Sequence, residues 1–144
     1  MSDDAYAQEN GHPPVAANVV CVDFDQTIIP WGPLMEPREP FRGARDAIRR
    51  LKAEGFRVFI LTSRASPSWW RSEAEARGVN ADDFGREQIG YVKGILDTYG
   101  VPYDQITSEK VPALAYFDDS AWRVAPAPWS LLAAVDTFIR GRKA

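Results

Sequence analysis

From Val19 onward the chain alternates between short apolar runs and longer stretches in which apolar residues recur at helical spacing. Val19 to Val22 and Arg57 to Leu61 are brief apolar runs rich in β-branched residues, as strands buried on both faces are. Ala113 to Phe117 reads as another strand and Gln105 to Thr107 as a shorter one. Between these runs, Phe41 to Glu54 carries Phe41, Ala44, Ile48 and Leu51 at helical spacing, with Gly55 as a stop. Ser66-Pro67 predicts an N-cap followed by proline in the first turn, opening a helix that runs to about Arg77 before Gly78. A further helix is predicted over Arg86 to Tyr99, and a last one over Ser130 to Ile139. Strands separated by helices of this length imply right-handed crossovers. The pattern therefore predicts an α/β fold: a doubly wound, three-layer domain with a mostly parallel sheet covered on both faces. Residues 1–18 are polar and lack periodicity, so they read as a flexible tail. Residues 19–144 read as a single domain.

Composition narrows this picture without redirecting it. The 144 residues are 45% hydrophobic and 26% charged, in the range of ordinary globular domains. A net charge of −3 does not point to nucleic-acid binding, which selects a basic surface, although a local basic patch remains compatible with it. The single cysteine, Cys21, cannot form an internal disulfide and reads as a small core residue. The single histidine, His12, falls in the tail, which argues against histidine-based triads and multi-histidine metal sites. No apolar run approaches the ~20 residues of a membrane span. No signal peptide is visible, and the expected location is cytoplasmic.

Open α/β sheets bind ligands at the carboxyl ends of their strands, so the residues following each apolar run carry the chemistry. These are Asp23-Phe24-Asp25-Gln26-Thr27, then Thr62-Ser63-Arg64, then Asp118-Asp119, with Lys110 shortly before the last run. Carboxylates brought together repel one another unless a cation joins them, and hard oxygen ligands suit Mg²⁺. Asp23 and Asp25, two apart in extended chain, point to the same side. One can attack phosphorus while the other carries protons. Lys110 would offset phosphoryl charge, and Thr62 or Ser63 would hold the group, with the apolar-run-then-threonine pattern favouring Thr62.

These residues also carry a resemblance. An apolar strand followed by DFDQT resembles the first motif of the haloacid-dehalogenase (HAD) superfamily. FILTS resembles the second, Lys110 the third, and YFDD the fourth, in that order, over Val19 to Trp129. The resemblance looks closest to small capless, phosphatase-like members on the late segment Lys110…AlaLeuAlaTyrPheAspAsp…Trp129, and the segments between motifs are too short for an added domain. It implies Asp23 as nucleophile and metal ligand, and Asp25 as general acid/base and a ligand through its backbone carbonyl. It implies Thr62 and Lys110 as phosphoryl ligands, Asp118 as a further Mg²⁺ ligand and Asp119 as its support. Two positions depart from the pattern: Gln26 replaces the common glycine at a tight turn, and Ser120 replaces a frequent arginine.

Each feature also has an ordinary reading. DFDQT alone could cap a turn, Asp118-Asp119 could cap a helix, and Lys110 could be a solvated surface lysine. Arg64 is open between a substrate contact and a structural role. Of Trp69 and Trp70 at least one is expected in the core, because adjacent helical residues face different ways. Trp31, in the loop after the first motif, is open between covering substrate and anchoring the loop. The basic run Arg140 to Lys143 reads as favourable charge at a helix C-terminus. The expected function is an Mg²⁺-dependent hydrolase of phosphomonoesters working through an aspartyl-phosphate. Its substrate is a phosphorylated compound, with a nucleotide or nucleic-acid end among the candidates. Phosphotransfer on the same fold and a non-catalytic phosphate-binding or interaction module are the alternatives.

Overall fold

A computed structural model describes residues 18–118 and 130–143. The expected tail (apart from Asn18), Asp119, Ser120 and Trp129 lie outside the described residues. Among the described residues the sheet has four strands, β1 (Val19–Asp23), β2 (Arg57–Leu61), β3 (Gln105–Thr107) and β4 (Ala115–Phe117), in the order β3-β2-β1-β4. All pairings are parallel, with Val20 opposite Val58 on one side of β1 and opposite Ala115 on the other. The helices are α1 (Ala44–Ala53), α2 (Pro67–Arg77), α3 (Ala81–Thr98) and α4 (Leu131–Lys143).

Alternation along the strands divides the core. Val20, Val22, Val58, Ile60 and Phe117 share one apolar cluster with Ile48 and Leu51 of α1, Val92 and Leu96 of α3, and Val135 of α4. The intervening Val19, Cys21 and Phe59 form a second, smaller cluster on the opposite face, against Val111, Ala113 and Tyr116. That second face is thus met by the segment connecting β3 to β4, which returns across the sheet from β3 to β4 on the far side of β1.

Two helices start several residues away from where the spacing places them. The expected helix from Phe41 begins instead at Ala44. Gly43 sits at φ 85°, a left-handed conformation no helix interior contains, and Phe41 stays 42% exposed while its N–H bonds the Ile28 carbonyl. The helix expected from Arg86 starts at Ala81, because the Asn80 side chain accepts the Asp83 N–H and Asp82 and Asp83 occupy the first turn. By contrast α2 runs from Pro67 to Arg77 with Gly78 at φ 69°, as expected. Ser66 holds the N-cap position, but its hydroxyl bonds that of Ser68 and no N–H of the helix. The last helix extends past Ile139 through Arg140, Arg142 and Lys143, which stabilise its carbonyl end. Among the described residues no helix is long and apolar enough to cross a membrane.

Candidate active site

The first candidate segment leaves β1 in a tight turn. The Phe24 carbonyl accepts the N–H groups of Thr27, Ile28 and Ile29, while Gln26 N–H returns to the Ile29 carbonyl at 2.8 Å. Phe24, Ile28 and Ile29 are fully buried and Thr27 is buried with them, so the turn is anchored from beneath while Asp25 and Gln26 reach the surface. Gln26 takes φ 65°, the left-handed conformation that favours glycine. Its side chain offsets part of that strain, since Oε1 accepts the Trp31 N–H at 2.5 Å. The departure from glycine thus ties the turn to the loop that follows.

β2 ends beside β1, with Asp23 opposite Leu61. Thr62 follows directly, buried, its N–H bonded to the Thr107 carbonyl and its hydroxyl accepting the Arg64 N–H at 3.1 Å. This caps a short 3₁₀ turn, Ser63–Ala65, that aims Arg64 back under the sheet edge. The result is a cleft of about 690 Å³ that brings together Asp23, Asp25, Thr62 and Ser63, with Gln26, Arg64, Trp31 and Trp69 also on its walls.

Arg64, which the sequence leaves open between substrate and structure, makes structural contacts. It is 3% exposed. Its Nε and Nη2 each donate to one oxygen of Asp25 at 3.0 Å, and Nη1 donates to the Leu34 carbonyl and to Gln88 Oε1. The guanidinium also lies 4.6 Å from the centre of the Tyr91 ring. Gln88 was not singled out by sequence, although a signal existed: it shares the helical face of Phe84 and Val92, where a buried amide needs partners. It has them in Arg64 and in Met35, whose sulfur accepts from Nε2.

The remaining expected residues are placed less closely. Asp118 directly follows Phe117, which pairs with Val22, so Asp23 and Asp118 occupy the next positions on neighbouring strands. The chain's direction of travel across the sheet reverses between these two strands, where open α/β sheets form ligand crevices. Asp118 and Lys110 are not among the residues lining the cleft. Lys110 is exposed, with its ammonium 4.9 Å from the centre of the Tyr116 ring. Burial pushes the Cys21 thiol up, the Lys110 charge opposing it in part, so Cys21 is an inert core residue.

Oxygen donors at adjacent strand ends suit a hard cation such as Mg²⁺. Asp23, Asp118 and the Asp25 carbonyl would hold it, supplying two carboxylates and one carbonyl. Among the described residues no cluster of three or more His, Cys, Asp or Glu side chains is present, and that set does not require one. Trp69 stacks at a tilt on Phe84, 5.9 Å between ring centres, and Trp70 packs across Gly85 of α3. Both are half-buried. Compared with protein-family models, curated proteins and solved structures, the chain matches none.

Proposed function

We propose that this chain is a HAD-type phosphomonoesterase that uses Mg²⁺, with Asp23 as nucleophile and Asp25 as proton carrier. One observation carries the reading: Asp23 and Asp25 share a cleft with Thr62 and Ser63 at the carboxyl ends of parallel strands. Carboxylates and hydroxyls on one wall are what transfer of a phosphoryl group to a carboxylate requires. Asp23 attacks phosphorus, and the bond to the leaving oxygen breaks as that oxygen takes the proton of Asp25. Water, deprotonated by Asp25, then attacks the aspartyl-phosphate, releasing phosphate and regenerating Asp23. The Thr62 hydroxyl accepts from Arg64 N–H and retains its own proton to donate to a phosphoryl oxygen. Bound Mg²⁺ would offset the charge of phosphate beside carboxylates.

The fork of Arg64 on Asp25 favours a second reading. A carboxylate held in a fork by an arginine gives up charge pairing each time it takes a proton, whereas in a phosphate-binding module it need only balance the arginine. Turnover separates the two. A panel of phosphomonoesters is assayed with Mg²⁺ and with chelator, for wild type and Asp23→Asn. Metal-dependent phosphate release that Asp23→Asn abolishes supports the esterase. Phosphate binding with no release from any ester supports the module, and release undiminished in Asp23→Asn rejects the nucleophile.

A further inference from the structure

Trp31 is the most exposed large apolar side chain among the described residues, at 74%, and it stands on the wall of the same cleft as Asp23 and Asp25. An indole left in water is unfavourable, and a loose loop would fold it away. This loop is not loose. Gln26 holds the Trp31 N–H, and Arg38 donates to the carbonyls of Pro30, Pro33 and Glu36. Arg64 holds the Leu34 carbonyl, and the Tyr91 hydroxyl donates to Glu36 at 2.6 Å. A loop braced at this many points fixes the backbone that carries the indole, so a ligand covering it loses little to ordering of the loop. Trp69 lines the cleft too, steadied from behind by Phe84.

We propose that the cleft takes a nucleoside monophosphate, its base stacked on Trp31 and bordered by Trp69, its phosphate beside Asp23 and Thr62. The proposal rests on the phosphomonoesterase reading for where the phosphate lies. It rests on the two indoles for the base. The volume of about 690 Å³ falls in the range that holds a nucleotide-sized ligand. Aromatic side chains stack on any base, because every base has a π-face. A polynucleotide fits less well. Its successive phosphates need a basic track, and Arg64, already committed to Asp25, Leu34 and Gln88, is the only basic residue on the cleft walls among the described residues.

The test uses Asp23→Asn, so that binding is read without turnover, in the full chain with Mg²⁺. Adenosine 5′-monophosphate, glycerol 3-phosphate and a 5′-phosphorylated oligonucleotide are titrated by calorimetry and by tryptophan fluorescence. The expected result is that the monophosphate binds about tenfold or more tightly than glycerol phosphate, and quenches fluorescence. Adding Trp31→Ala should lower the ratio of the two affinities about tenfold, and Trp31→Phe should restore most of it. Trp31 is exposed, so thermal melts of the two added variants should match the parent. Equal affinities for the two esters, or a ratio insensitive to Trp31→Ala, overturns the stacking site. A tighter oligonucleotide overturns the commitment to a mononucleotide. Wild-type turnover of both esters, measured separately, distinguishes the readings: Trp31-dependent binding without turnover removes the esterase and leaves the base site. Turnover without base preference does the reverse.

Discussion

Arg64 closes on both carboxylate oxygens of Asp25, Nε to Oδ2 and Nη2 to Oδ1, each at 3.0 Å. The arginine is buried while the aspartate reaches the cleft, so a charge inside the domain fixes the orientation of a group at its surface. Breaking such a pair from one side leaves an uncompensated charge in the interior. Removing Asp25 strands the Arg64 charge in this way, whereas Arg64→Met leaves the Leu34 carbonyl and Gln88 Oε1 without their buried donor and is expected to destabilise the fold by about 1–3 kcal/mol. Combined with Asp25→Asn it should cost less than the sum of the single changes, which a double-mutant cycle in urea measures. Arg64→Lys keeps the charge but loses the fork. On the proposed esterase reading it should therefore lower kcat for phosphomonoesters and change the pH profile, while lowering stability less than Arg64→Met does. Purely additive single and double mutants would show that the pair is not coupled.

The two aspartates of the first turn should fail in different ways. On the proposed esterase reading, Asp23→Asn removes the attacking carboxylate and should abolish both turnover and phosphoenzyme. With nitrophenyl phosphate, whose leaving group needs no proton, Asp25→Asn should still form the aspartyl-phosphate. Its breakdown should slow about 10²–10⁴-fold for want of a base. Acid quench or intact mass would detect the accumulated phosphoenzyme. Because Asp25 is also the counter-ion of Arg64, Asp25→Asn should melt at a lower temperature than Asp23→Asn. Phosphate trapped on Asp25 would reverse the assignment.

Gly85 in the second turn of α3 meets the Trp70 ring. A Cβ there would lie 2.6 Å from two atoms of the indole, whereas Gly90 and Gly94 on the same helix have nothing within 4 Å. Gly85→Ala should therefore destabilise by about 1–3 kcal/mol through overpacking, less what the helix gains from alanine. Gly90→Ala should stabilise by about 1 kcal/mol from that same gain. Chemical denaturation of both variants checks the contrast. Similar effects at the two positions would mean that Trp70 moves aside freely.

Asp104 docks on β2, accepting from Lys52 Nζ and from the Val58 N–H, each at 2.7 Å. Burial pushes its carboxyl up, but the hydrogen bonds from Lys52 and Val58, with the charges of Lys52 and Arg57, outweigh it and hold it below the ordinary carboxylate range. A carboxyl lowered on folding stabilises the fold above its unfolded pKa, and that stabilisation is lost as pH falls through the folded value. Asp104→Asn should thus be less stable than wild type at neutral pH. The gap should hold down to about pH 4 and narrow below it. Urea midpoints across an acid series for both proteins give the comparison. A gap independent of pH would assign the effect to the hydrogen-bonding shape alone.

The strand–helix alternation was legible because it is written locally. A run such as Val58 to Ile60 needs only its own side chains to declare a buried strand, and Pro67 and Gly78 bound α2 by their own backbone preferences. The meeting of Asp23 and Asp25 with Thr62 and Ser63 followed from the same code, because residues after parallel strands share one edge of the sheet. The start of α3 was equally local, in Asn80 and the acidic pair after it, but apolar spacing gives no weight to a cap.

By itself, then, the sequence determined which segments are strands and helices, and which residues stand at the strand ends. Only the tertiary structure decided what those residues touch. Arg64 could equally have faced a ligand. It is turned inward because α3 brings Gln88 and Tyr91 beneath it and the loop after β1 brings the Leu34 carbonyl. Gln26 could have been a mere defect in a glycine position, until the fold carried the Trp31 N–H to its amide. Lys110 is drawn to Tyr116 by the path of the chain between β3 and β4, which spacing along the sequence does not encode. Gln26 and Lys110 meet partners only five and six residues on, where the local path of the chain decides, whereas the partners of Arg64 lie 24 to 39 residues away. A polar side chain finds its partner by distance in space, and for partners tens of residues apart that distance is set by strand order and helix packing.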